Sequence, residues 1–253
     1  MDRRAIFAAV RGALSGRAFF FGVLGVFLIL LIASAEDIAP AFYLAGLLEE
    51  GFHCRMIINA LASDSMVLAL PILAAVPYAA SVVDDMRSGF IKEYLPRTTR
   101  GGYIAGKIAA CTLSGGLVFV CGIMAAHAVM ALAFTPMESA AGISAGLLPE
   151  VRELFGEGVL FFCTGAFWAM TGMLAAALTG SKYMAYASPF VIYYVLIILH
   201  ERYFGAMHIL YPREWTAPTE YWMFGGIGAV LFVTELTFIA ALCFWIVAKK
   251  KLF

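Results

Sequence analysis

GGYIAGKIAACTLSGG, residues 101–116, has two readings that lead to different folds. Gly101, four residues, Gly106 and Lys107 make the skeleton of a phosphate-binding P-loop, and Leu113–Gly116 matches part of an ATPase signature. A P-loop needs a strand that delivers a glycine-rich turn to a helix N-terminus in water. It also needs a Ser or Thr after the Lys to ligate magnesium. Here Ile108 follows Lys107, no strand pattern precedes Gly101, and an apolar run continues to Phe134. Both matches are therefore read as chance in a glycine-rich chain. The stretch becomes the start of a membrane helix, with Lys107 expected to mark its cytoplasmic end and snorkel to the headgroups.

Composition supports that choice. Of 253 residues, 63% are apolar and 13% charged, with a mean hydropathy of +0.90. A water-soluble domain runs nearer half apolar and a quarter charged, so lipid must solvate most of this chain. The formal net charge is zero, which implies no bulk polyanion partner. The five cysteines form no CxxC pair. Neither a disulfide framework nor a zinc site is expected, and they read as small core residues. No cleavable signal peptide is expected, because the first apolar run is long enough to span.

Spanning a bilayer takes about 20 apolar residues. Six segments qualify: 18–35, 65–83, 107–134, 158–179, 184–200 and 224–248. One alternate set of loops and ends holds 13 of the 17 basic residues, among them Arg3, Arg4, Arg87, Lys107, Lys182 and Lys249–Lys251. The other holds Arg55, Arg152, Arg202 and Arg213. The positive-inside rule then places both termini in the cytoplasm. The expectation is an all-α membrane protein with a single domain over 1–253. Twelve of the 17 acids, Glu138 and Glu150 included, fall in the outer loops. A further decoy, Gly142–Gly146, fits GxSxG, but that motif needs a strand–turn–helix elbow and a nearby His base. Ser144 sits in an outer loop, and no convincing catalytic constellation is present.

The cytoplasmic loop reads DDMRSGFIKEYLPRTTRGGYIAGK, 84–107. A short helix is expected over 85–95, stopped by Pro96, with Phe90, Ile91, Tyr94 and Leu95 on one face. Such a helix suits a membrane surface or a partner's groove. In its order of an acid, Arg-Ser-Gly, an Ile-Lys-Glu helix, Thr-Thr-Arg, Tyr-Ile and Gly-Lys, this loop resembles permease subunits of type-2 ABC exporters. The resemblance is closest to bacterial permeases of the bacteriocin-immunity and antibiotic-export group. It extends in layout to six spans, cytoplasmic termini and a second span bearing Pro71 and Pro77.

The resemblance implies an exporter in a bacterial cell membrane, moving or extracting an amphipathic peptide, drug or lipid. The 85–95 helix becomes the coupling helix, with Arg87, Gly89, Ile91, Lys92, Glu93, Tyr94 and Leu95 engaging a separate ABC ATPase subunit. Residues 2–16 become an interfacial amphipathic helix, although a plain basic anchor explains them equally. The implied partners are that ATPase, a second permease subunit in a homodimer or heterodimer, and membrane lipid, with no nucleic acid. Neither cofactor nor metal is implied, and the chain itself is not an enzyme. An intramembrane hydrolase using Ser144 and a non-transporting scaffold or sensor are the rival classes.

Within the spans, Glu235 is the one deeply placed acid. Burying its charge costs about 3 kcal/mol on insertion scales, so it should face protein or water, or be protonated. Thr234 and Thr237 are candidates to share its hydrogen bonds. Its role is either a substrate or proton contact or a structural bond. His127 is a packing residue or a ligand. Pro71 and Pro77 are expected to kink the second span. The rings of 200–223 suit an interfacial belt or short re-entrant helices.

Overall fold

A computed structural model describes residues 2–43, 48–89, 99–138 and 147–251. It is all-helical, 84% helix, with no strand among the described residues. In chain order the helices are α1 (Asp2–Leu14), α2 (Arg17–Ala33), α3 (Ala35–Tyr43), α4 (Phe52–Leu61), α5 (Asp64–Ala75) and α6 (Ser81–Ser88). After these come α7 (Arg100–Phe134), α8 (Leu147–Thr179), α9 (Lys182–Arg202) and α10 (Gly226–Lys251).

Among the described residues, four helices are long and apolar enough to cross a membrane: Arg100–Met137, Pro149–Thr179, Lys182–Arg202 and Gly226–Lys251. The number rises to six if two bent pairs each count as one span, α1 with α2 (50°) and α4 with α5 (68°). Large apolar side chains cover the outside of α10. Ile227, Leu231, Phe238, Ile239, Leu242 and Ile246 are each about half exposed or more. Water would not tolerate such a continuous patch, whereas acyl chains do.

The opening stretch is helical from its first residues. Thr99 caps α7, its Oγ1 accepting from Gly102 N at 3.0 Å, in the usual manner of an N-cap hydroxyl. Gly101–Lys107 therefore form the first turns of α7 rather than a phosphate-cradling loop. At 35 residues, α7 is about 50 Å long, longer than a bilayer's hydrocarbon core.

The bundle is built around the contact of α7 with α8. Cys111 Sγ donates to Ala169 O at 3.3 Å, Gly115 lies against Gly165 and Ala169, and the rings of Phe119 and Phe161 are 6.0 Å apart. As one number rises the other falls, so the two helices run antiparallel. A Cβ on Gly115 would sit 2.3 Å from the Cβ of Ala169 and 2.9 Å from Gly165 O. The backbones meet where small residues remove the spacer, which is how helices gain close packing in lipid. Trp168, Phe119 and Phe161 fill the core around this contact.

The second expected span departs from the sequence reading. The continuous helix expected over 65–83 is interrupted after Ala75 by turns through 76–80, where Pro77 supplies no N–H for the next helical bond. The 68° bend lies earlier, between α4 and α5, where Ser63 Oγ caps α5 by accepting from Met66 N. Pro71 lies inside α5 and is buried. Of the helix expected over 85–95, residues 85–88 belong to α6, which begins at Ser81 and ends at Ser88, where Gly89 takes the left-handed conformation (φ 73°) that closes helices; residues 90–95 lie outside the described residues.

Helix α1 packs on the start of α7, with Ala9 Cβ 3.5 Å from where a Gly106 side chain would begin. In the 200–223 segment, single 3₁₀ turns at His208–Leu210 and Pro212–Trp215 replace re-entrant helices. Tyr203, Phe204 and Tyr221 face outward as a belt would, but Trp215 is buried, stacked 5.8 Å from Trp168.

Gly115→Val should therefore drive a branched side chain into α8 and cost about 1–3 kcal/mol. The melting temperature of detergent-solubilised protein should fall markedly, whereas Gly156→Ala, at a site with no neighbour within 4 Å, should leave it unchanged.

Candidate functional site

Two polar clusters occupy opposite ends of α7. Lys107 marks one and His127 the other, twenty residues or about 30 Å apart along the helix.

At the first end, Asp85 is the hub. Its Oδ2 accepts from Tyr103 Oη at 2.6 Å and lies 2.8 Å from Lys107 Nζ. The ammonium also approaches Ser81 O at 3.4 Å and sits 4.8 Å from the centroid of the Tyr78 ring. Lys107 is only 6% exposed. The expected snorkelling to the headgroups is thus corrected: α6 begins early enough to bring Asp85 over the first turns of α7, and the pair holds Lys107 inside. On the other flank of α6, Asp84 pairs with Lys182 and Arg87 Nη2 donates to Gly180 O at 3.2 Å. Helix α6 is therefore tied to α7 on one side and to the α8–α9 corner on the other. A cavity of about 270 Å³, lined by Ala5, Ala9, Gly12, Tyr78, Asp85 and Lys107 among others, opens beside this cluster. Lys251 Nζ bonds the carbonyls of Ala177 and Leu178, which closes the end of α8 with the last turn of α10.

Of the residues expected to couple this chain to a partner, Arg87 and Gly89 stand at the end of α6. Ile91, Lys92, Glu93, Tyr94 and Leu95 lie outside the described residues, as does Ser144. Among the described residues, Gly89 has no neighbour within 4 Å of where a Cβ would be.

At the second end, His53 opens α4 and points at Glu138. Its Nδ1 lies 2.7 Å from Glu138 Oε1, and both side chains are 5% exposed. Glu138 also accepts from His53 N and Gly51 N, each at 3.0 Å, while a lone bridge between Leu48 and Glu138 holds the two segments together. Burial pushes the Glu138 carboxyl up, but the three hydrogen bonds outweigh it and hold the group below its ordinary value. Gly51 adopts φ 82° and leaves no room for a side chain, since a Cβ there would lie 2.8 Å from Cδ of Glu150. The His127 ring is 5.2 Å from that of His53. Cys54, fully buried, completes a group with the two histidines whose candidate ligand atoms all lie within 4.8 Å of one another.

The remaining sequence candidates stand apart from both clusters. Glu235 is exposed on the outer face of α10, beside a cavity of about 580 Å³ that His208, Tyr221, Trp222 and Met223 also line. Thr234 and Thr237 do not bond it. Their hydroxyls donate to Val230 O and Val233 O of their own helix, the intrahelical bond such side chains make when no better acceptor is near. His127 lines an apolar cavity of about 380 Å³ between α7 and α8. Sequence reading missed His53 altogether and took Cys54 for core and Glu138 for a surface acid. No local spacing links residues 53 and 138, which only the packing of α4 on α7 brings together. No known family model, curated protein or solved structure matches this chain.

Lys107→Met strands Asp85 in a nearly dry site with one donor fewer. Losing one partner of a buried pair costs about 3–5 kcal/mol, while replacing both is much milder. Thermal unfolding in detergent should show a large loss for Lys107→Met, most of it recovered in the double variant Asp85→Asn/Lys107→Met. Additive losses would show that the two residues do not form one unit.

Proposed function

We propose that this chain is the permease subunit of a type-2 ABC exporter, with six spans, both termini in the cytoplasm, and nucleotide hydrolysis carried out by a separate ATPase. The observation that carries this reading is the Asp85–Lys107–Tyr103 cluster. It joins the helix that enters the 89–99 segment to the helix that leaves it, at the end where Lys182 and Lys249–Lys251 also gather. A push on that segment cannot be absorbed at its roots, because the pair ties α6 to α7 and the contacts with Lys182 and Gly180 tie α6 to the α8–α9 corner. That is the mechanical property a coupling segment needs, and its sequence is the one that resembles the exporter permeases.

The concentration of basic residues at this end supports a cytoplasmic placement. The outer face of α10, apolar along the span apart from Thr234 and Glu235, suits a second permease subunit, identical or a sibling, because an uncovered acid in acyl chains is costly. The substrate class that fits is an amphipathic peptide, drug or lipid, moved by alternation between two states that ATPase closure biases differently. The localisation that follows is the cell membrane of a bacterium.

Tyr94→Asp should abolish ATP-driven export and at least halve the ATPase recovered when the permease is purified in mild detergent, with the melting temperature of the permease unchanged. Normal export together with normal ATPase recovery would remove the coupling role from this loop.

A further inference from the structure

The cluster at the far end of α7 plays no part in the coupling argument, yet it is the most ligand-like arrangement among the described residues. Two imidazoles and a thiol converge from α4 and α7, with every candidate ligand atom within 4.8 Å of the others. His53 is 4% exposed and Cys54 0%, so this is not a surface grouping brought together by chance. Helix packing alone does not explain the polar atoms left over. Among the described residues, His127 Nδ1 is buried with no hydrogen-bond partner, and so is one carboxylate oxygen of Glu150, the residue packed against Gly51. Orphaned buried polar atoms are costly, and a cation with its bound water would satisfy both.

The hydrogen bond to Glu138 has a direct consequence for ligation. With the proton on Nδ1 donated to the carboxylate, His53 presents Nε2 as a lone pair. A carboxylate behind a histidine is the arrangement that fixes tautomer and ring direction in metal sites. Glu138 is itself held by two backbone N–H groups, so the orienting carboxylate is fixed in turn.

We infer that His53, Cys54 and His127 form a binding site for a borderline-soft divalent metal ion of the zinc class, with Glu138 as the positioning residue behind His53. Two imidazoles and a thiolate are the donors such an ion prefers over magnesium or calcium, which take oxygen. Zinc bonds of about 2.0–2.1 Å to nitrogen and 2.3 Å to sulfur would require the three atoms to draw in to about 3.5 Å from one another. The thiol gives up its proton to solvent on binding, so the ion meets one thiolate, two neutral imidazoles and a carboxylate behind them. Three protein ligands leave the fourth position to water. The site does not depend on the exporter reading, and either can fail without the other.

The test uses the full chain in detergent, with zinc and cobalt ions as the only probes. After zinc loading and gel filtration, the protein should retain about one equivalent of metal. The cobalt form should show a thiolate-to-metal charge-transfer band. Cys54→Ser should abolish that band, and His127→Gln should weaken zinc binding at least tenfold. Glu138→Gln should weaken it about ten- to a hundredfold with the band preserved, as expected of a residue behind the ligand. Cys111→Ser and His208→Gln should change nothing. If the unmutated protein shows no charge-transfer band, or if Cys54→Ser keeps it, the site is not what we infer. The first of these outcomes is read on the native chain and is independent of whether any variant folds.

Discussion

A single buried ion pair organises the end of the molecule on which the proposed coupling depends. Lys107 lies two turns into α7, where an unpaired ammonium would be expelled toward water. Asp85, itself held by the Tyr103 hydroxyl, keeps it inside, and the ring of Tyr78 covers it. Such a pair adds little net stability, since desolvation consumes most of the attraction, but it is intolerant of losing either member. The pair therefore fixes one register of α6 on α7. That register brings Asp84 to Lys182 and Arg87 to Gly180, and the helix closes at Gly89.

The rest of the bundle supplies the stiffness that makes such a fixed register useful. In lipid, apolar burial does not drive helices together, so contact has to come from close backbone approach. Gly115 facing Gly165 and Ala169 provides it at the centre, and the stack of Trp168 on Trp215 packs at the same level. About 60% of the most apolar window of α8 is buried but only 17% of that of α10. The central helices thus form a solid body and the last helix its rim. Glu235 on that rim turns away from the bundle, which is why its neighbouring threonines bond their own backbone.

The apolar runs were legible in the sequence because length and hydropathy decide them alone, and α7 to α10 lie where those runs lie. The interruption at Pro77 was harder to place, since a proline inside an apolar run either kinks a helix or ends it, and tertiary contacts choose. Residues 81–83 were read as the end of the second span and 85–88 as the start of the loop helix, whereas 81–88 form one helix, α6. What the sequence could not show is that Asp84, Asp85 and Arg87 find partners in other elements. The misreading of Lys107 follows from that, because without Asp85 overhead a lysine at a helix entrance does snorkel. His53, Cys54, His127 and Glu138 were unreadable as a set. Metal-ligand spacing rules assume ligands close in sequence, and these come from three segments that meet only after α4 packs on α7.

The central claim is that the Asp85–Lys107 end of the bundle faces the cell interior, where a nucleotide-driven partner can reach it. A cysteine at Ser88, one residue before the exit glycine, reports on this directly. In intact cells a membrane-impermeant maleimide should leave residue 88 unmodified, and in inverted membrane vesicles it should modify it fully, as read by mass spectrometry at that residue. Modification of residue 88 from outside intact cells would contradict the account.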